Sequence, residues 1–318
     1  MTETCKTRRA GRGHDGRMTI DISAATAFMA GHARVLDRRR FALLLGGDDT
    51  TGLLTALDAY RNPDGGYGWG LEPDLRSPES QPGSALHAFE VFEEAAEAAG
   101  AAVGSAHAVA LCDWLGSVTL PDGGLPMALP LTTKAATASW WASADPAASS
   151  LQITAVSAAA ALRVAAHDPA VAAHPWLEQA TRYCFDAIAA LEERPHAYVL
   201  SFALRFLDAV HDTRPEEAGA LLRRLAEFVP PDGEVPVEGG TADEKLRPLD
   251  LAPLPGRPTR DLLAPGVIEA DLDRLASGQR DDGGWTVDYA EFSEAGALEW
   301  RGAMTVSAVR ILRANGRL

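Results

Sequence analysis

Four glycine corners govern what this chain can become: Asp64-Gly65-Gly66, Asp122-Gly123-Gly124, Asp232-Gly233 and Asp282-Gly283-Gly284. Aspartate bonds to nearby backbone amides and glycine reaches positive φ without strain, so an Asp-Gly pair enforces a tight turn. The corners lie 58, 110 and 50 residues apart, and the long interval reads as two periods of about 55 residues. A period of that size implies stacked supersecondary units, none of which can bury its apolar face alone. The first and last corners agree in most detail. Tyr67 follows Gly66, and Ala85 stands 19 residues after that glycine in a helical segment; Trp285 follows Gly284, and Ala303 stands 19 residues after it.

Between the corners, apolar residues recur with helical period over 23–45, 51–61, 81–99, 102–115, 149–167, 176–192, 196–211, 215–228, 265–278 and 300–314, and no stretch alternates as a strand would. Repeated helical hairpins form either an open array or a closed ring. The last unit of an open array presents a polar capping face, whereas residues Met304 to Leu312 keep an apolar stripe almost to the C-terminus. The expectation is an all-α chain closed into an α/α toroid, with residues 19–318 as one domain.

Hydrophobic residues make up 47% of the chain, enough for a large core, yet no apolar run approaches the roughly 20 residues that span a bilayer. A net charge of −15 excludes a nucleic-acid partner, which would require clustered Lys and Arg. Short basic runs such as Arg38-Arg39-Arg40 read as solvated helix faces. Residues 1–18 carry Lys6, Arg8, Arg9, Arg12 and Arg17 without hydrophobic pattern and read as a disordered basic tail, with Met18 a plausible start. Arg8-Arg9 lacks the apolar segment of an export signal. Cys5, Cys112 and Cys184 are far apart, a usage that fits a reducing cytoplasm; the latter two read as small core residues.

Residues Gln279 to Trp285 resemble the QW motif, Gln-x-x-x-Gly-x-Trp, of the terpenoid cyclase and protein prenyltransferase toroids, and Asp64-Gly65-Gly66-Tyr67-Gly68 is similar to the Asp-Gly-Gly-Phe-Gly loops of that superfamily. The corners at 122 and 232 depart from the pattern, with Leu125 and Val235 where an aromatic belongs. At closer range the chain resembles bacterial prenyltransferase-like, or squalene-cyclase-like, proteins of about this size. That likeness rests on Leu71-Glu72-Pro73-Asp74, Ser80-Gln81-Pro82, His174-Pro175-Trp176-Leu177, Pro248-Leu249-Asp250-Leu251-Ala252-Pro253 and Arg301-Gly302, and covers most of 20–318. It implies architecture more than reaction.

The family's catalytic signatures are missing. No Asp-x-Asp-Asp tetrad occurs; Asp271-Leu272-Asp273 reads as a solvated helix face and Asp281-Asp282 as turn residues. Asp48-Asp49 lacks the third carboxylate of a magnesium site and reads as a helix N-cap. No cysteine follows an Asp at the prenyltransferase zinc spacing. No metal or cofactor is therefore expected.

In the resembled toroids the corner loops and inner-helix starts face a central cavity. Carried onto this chain, that implies Asp74, Asp250 and Glu72 as candidate acids, with Trp69, Gln81, Trp140, Trp141, Ser150, Trp300 and Arg301 as candidate ligand-binding residues. An acid desolvated among aromatic rings holds its proton nearer to neutrality and can donate it, and aromatic faces stabilise a developing cation. Each acid has a structural alternative: Glu72 and Asp74 could pair with Arg61 or Arg76, and Asp250 could brace its loop. The leading functional expectation is terpenoid-cyclase-like, acid-initiated chemistry on an apolar isoprenoid-type molecule. The alternatives are a non-catalytic toroid that binds a hydrophobic ligand or a protein partner, and an α/α-barrel acting on carbohydrate.

Overall fold

The computed structural model describes residues 19–289 and 292–318; the basic segment expected to stand outside the fold, with Cys5, lies outside the described residues. The helices are α1 (Ile22–His32), α2 (Val35–Leu44), α3 (Thr50–Asp58), α4 (Pro82–Ala99), α5 (Ser105–Val118), α6 (Ser139–Ala142), α7 (Leu151–Ala165), α8 (Pro169–Ala172), α9 (Pro175–Ala189), α10 (Ala197–Val210), α11 (Pro215–Ala226), α12 (Pro248–Leu251), α13 (Pro265–Ser277) and α14 (Glu294–Ala314). A 3-10 turn spans Pro258–Leu262. The described residues are all-α but for one antiparallel ladder, β1 (Val235–Pro236) with β2 (Lys245–Leu246), and two isolated bridges, which the absence of period-two alternation does not foretell. Among the described residues no helix is long and apolar enough to cross a membrane.

The corners share one construction. The amides of Gly66, Gly124, Glu234 and Gly284 each donate to the side chain of the Asp two residues earlier, at 2.9–3.1 Å. The glycine between, at 65, 123, 233 and 283, has positive φ and donates to the carbonyl three residues back. Three of these aspartates also accept from a later segment: Asp64 from Ser80 and Asp122 from Ser149, each two residues before a long helix, and Asp282 from Arg301, within α14. The first two corners thus tie down the approach to α4 and α7, and the last ties down the body of α14. In the last repeat the helix residue that reaches back to the aromatic position is Thr305, whose hydroxyl accepts from the Trp285 amide.

Two segment expectations need correction. The span 23–45 is two helices, because Ala33 and Arg34 are extended and the Arg34 guanidinium turns to Asp37 and to the Gly70 and Leu71 carbonyls. The final helix begins at Glu294, with Ser293 capping the Gly296 amide, well before residue 300. Asp271 is likewise no solvated residue. It is buried, accepts from the Leu249 amide at the start of α12, and pairs with Arg274.

The long helices pack in succession. From α4 the contacts lead to α7, then to α10, α12, α13, α14 and α2, and α2 packs on α4. The helices α3, α5, α9 and α11 lie against α4 or α2, α4, α7 and α10 respectively. Ala25 and Phe28 of α1 share a core cluster with Val309 and Leu312 of α14 and with Trp285. Gln279 secures that meeting of chain ends. Its amide donates to the Asp21 carbonyl (2.8 Å) and the Gly283 carbonyl (3.0 Å), and its oxygen accepts from the Asp21 amide (2.7 Å). Trp285 is buried with its indole N–H on the Leu275 carbonyl.

A Cβ on Gly283 would fall 2.1 Å from the Ala24 carbonyl oxygen of α1, whereas one on Gly239, which also has positive φ, would meet nothing within 4 Å. Gly239→Ala is expected to cost about 1–2 kcal/mol from its backbone conformation. Gly283→Ala adds a backbone collision and should cost at least about 3 kcal/mol. Equal urea midpoints for the two variants would contradict the close seating of this corner on α1.

Candidate functional site

A cavity of about 1030 Å³ is lined by inward faces of α2, α4, α7, α10, α12, α13 and α14 and by the loops at 72–74, 237–240 and 285–289. Of the ten expected site residues it gathers six: Glu72, Asp74, Trp140, Trp141, Asp250 and Trp300. The other four lie off its lining, each engaged elsewhere. Trp69 is 58% exposed and donates to Asn62. Gln81 is fully buried, with its side chain bonded to both the amide and the carbonyl of Leu129. Ser150 is the N-cap of α7, and Arg301 forms a two-pronged bond to Asp282 over the Phe28 ring.

At one end of the cavity the acids are held by aromatic and imidazole donors. Trp300, on α14, gives its indole N–H to Asp74 Oδ2 at 2.8 Å. Its ring meets His87 and Tyr289 edge-on, at 6.0 and 5.8 Å between centroids. Trp141 packs where a side chain on Gly83 would stand, and Trp140 rests edge-on against Phe292. The Tyr198 hydroxyl donates to Glu244, and burial pushes that phenol's pKa up. His87 lies between Glu72 (2.9 Å) and Glu90 (3.0 Å). Burial alone would lower the imidazole pKa, but the two carboxylates outweigh it and raise it to about 9. Burial works the opposite way on Glu90, yet His87 and Arg40 hold its carboxyl well below the ordinary range.

Asp250, like Glu97 further along the cavity, is an acid that burial makes reluctant to ionise. Desolvation raises its pKa despite one hydrogen bond from the Arg247 amide (2.8 Å) and the nearby Arg205 cation. Its backbone carbonyl is held by Ser201 and Arg205 of α10, which docks the short α12 against the cavity wall.

Further along, charges answer one another. Arg40 pairs with Glu94, Glu90 and Asp37, Arg163 with Glu93, and Arg310 with Glu93, Glu94 and Glu97. These pairs link α2, α4, α7 and α14. The stripe His87, Glu90, Glu94 and Glu97 recurs at helical spacing along α4, and Tyr198, Ser201, Arg205 and Asp208 along α10. Such polar stripes beside apolar ones were visible in the sequence but are indistinguishable there from solvated faces. Among the described residues no group of three or more His, Cys, Asp or Glu side chains stands ready to hold a metal ion.

In comparisons with known proteins the sequence matches no family model and no curated protein.

The His87 cluster makes stability depend on pH in a definite direction. A raised folded-state pKa contributes fully below the ordinary value of 6.5 and is lost as pH climbs through about 9. Wild-type protein should therefore lose about 2 kcal/mol between pH 7 and pH 9.5. His87→Gln should start less stable at pH 7 and show little further decline over that window. Parallel pH profiles of urea unfolding for the two proteins would refute the assignment.

Proposed function

We propose that the circuit of packed helices is an α/α toroid, a single domain over 19–318 of the terpenoid cyclase and protein prenyltransferase type that the Gln279–Trp285 motif resembles. Its hollow serves as an active site for acid–base chemistry on a hydroxylated, carbohydrate-class ring. The observation that carries this reading is the company Asp250 keeps: a desolvated acid in a cavity that also bears indole and phenol rings and further carboxylates. Acids set among aromatic side chains are the equipment of glycoside chemistry. Asp250 is the proton donor to a substrate oxygen. Asp74, oriented by the Trp300 indole N–H, is the carboxylate that takes a proton from the attacking hydroxyl or water. Trp140, Tyr289 and Trp300 offer flat apolar surfaces to the ring.

The lining supports a polar ligand over an apolar isoprenoid. Charged groups of α4, α7, α10 and α14 border the hollow. An isoprenoid would strip water from them and return no hydrogen bonds, at a cost of a few kcal/mol per group left unsatisfied. A hydroxylated ring replaces those waters.

Intrinsic tryptophan fluorescence gives the test. Titration with neutral and acidic mono-, di- and trisaccharides is expected to change the emission, and Trp300→Ala should abolish the response. Farnesol and geranylgeraniol should produce none. The saccharide that binds becomes the substrate candidate, and Asp250→Asn should lower its turnover about 10²- to 10⁴-fold while its affinity stays within a few fold. Saturable binding of the isoprenoid alcohols, with none by saccharides, would overturn the proposal and favour the apolar reading.

A further inference from the structure

Nine Lys and Arg side chains line the cavity, and eight have a carboxylate within 4 Å: Arg34, Arg40, Arg163, Lys245, Arg247, Arg257, Arg274 and Arg310. Arg205 is the exception among the described residues. Its Nε and Nη2 donate to the Asp250 carbonyl oxygen at 3.2 and 3.0 Å, and its guanidinium lies 5.7 Å from the Phe202 ring centroid. The Asp250 carboxyl itself is turned to the Arg247 amide. A guanidinium has five N–H donors, so two are used on that carbonyl and the edge formed by Nη1 and Nη2 stays open. Burial lowers the pKa of this group, and the attraction of the Asp250 carboxyl, which is not in contact with it, does not make up the difference. A desolvated cation held by a neutral oxygen and a ring, with its forked edge free, is a recognition element for an anion.

We infer that the cavity's ligand carries an anionic group, a carboxylate or a phosphate, and that Arg205 receives it on its free guanidinium edge, beside the Asp250 acid. This deepens the carbohydrate reading and rests on it, pointing to an acidic sugar as the substrate class. Asp250 bonded through its carbonyl to the same guanidinium would then register the proton donor against the anchored ring.

The test compares glucuronate and galacturonate with glucose and galactose, adds glucose 6-phosphate as the phosphate arm, and includes acetate and inorganic phosphate as bare anions. Affinities are read by calorimetry on the full chain. At least one acidic sugar is expected to bind about tenfold or more tightly than its neutral counterpart. Whether the uronates or the sugar phosphate show the gain identifies the group. Arg205→Met should reduce the preference to within about twofold while neutral-sugar affinity persists, and Arg205→Lys should keep part of it. If Arg205→Met does not fold, the wild-type preference and the Arg205→Lys value decide. Equal binding of acidic and neutral sugars by wild type overturns the inference and leaves the carbohydrate reading standing. Binding of acetate or phosphate that needs Arg205, with no sugar bound, supports the anion site and overturns the carbohydrate reading. No binding by any probe overturns both.

Discussion

The amide of Gln279 holds together parts of the chain 258 residues apart, and the remaining architecture depends on that meeting. Each Asp-Gly corner satisfies its own amides, and three of the four also bond to a helix that follows or to its approach, which is a local event. Nothing local obliges the last corner to lie against the first helix. Gln279 does so by bonding both backbone groups of Asp21 while bracing its own turn at Gly283. With α1 and α14 joined in one apolar cluster, the polar faces of α2, α4, α7, α10 and α14 border one hollow.

A hollow bordered by so many charges persists only because they are mutually satisfied. Removing one partner of a buried pair strands the other, at a cost of about 3–5 kcal/mol. That explains why the network at Glu93, Glu94, Arg40, Arg163 and Arg310 joins separate helices rather than neighbours on one: each pair neutralises charge and also fixes helix spacing. Against this background the groups with unspent capacity stand out. Desolvation raises the pKa of Asp250, and Arg205 keeps an open donor edge next to it. Both belong to the contact between α10 and α12, so acid and cation are placed by one piece of packing.

Sequence legibility differed sharply between scaffold and cavity. Helix positions were readable because 3.6-residue periodicity and Gly or Pro punctuation are local properties. The one break missed, at Ala33 and Arg34, is set by distant carbonyls at Gly70 and Leu71. The acids Glu72, Asp74 and Asp250 were reached only through the resemblance to toroids whose corner loops face a cavity, since other acids, such as Asp64, Asp122 and Asp145, also stand beside proline outside the helices. Gln81, Ser150 and Arg301 were not separable from true cavity residues: a polar side chain at or within a helix can serve a neighbouring backbone or corner as readily as a ligand, and these three do the former. Arg205 carried no signal of its own. An arginine between Leu204 and Phe206 reveals its lack of a carboxylate only when the surrounding helices are placed.

The bond from Trp300 to Asp74 has a consequence for biosynthesis. Its donor lies 226 residues after its acceptor, and Arg310 reaches Glu93 across 217. As the polypeptide emerges from the ribosome, its early helices must hold their acidic faces hydrated until α14 appears, because Trp300 and Arg310, which complete the wall, follow so far behind. Such non-local closure slows folding. The pocket is thereby complete only once α14 has been made, and a polypeptide that lacks this helix is a scaffold without a closed wall.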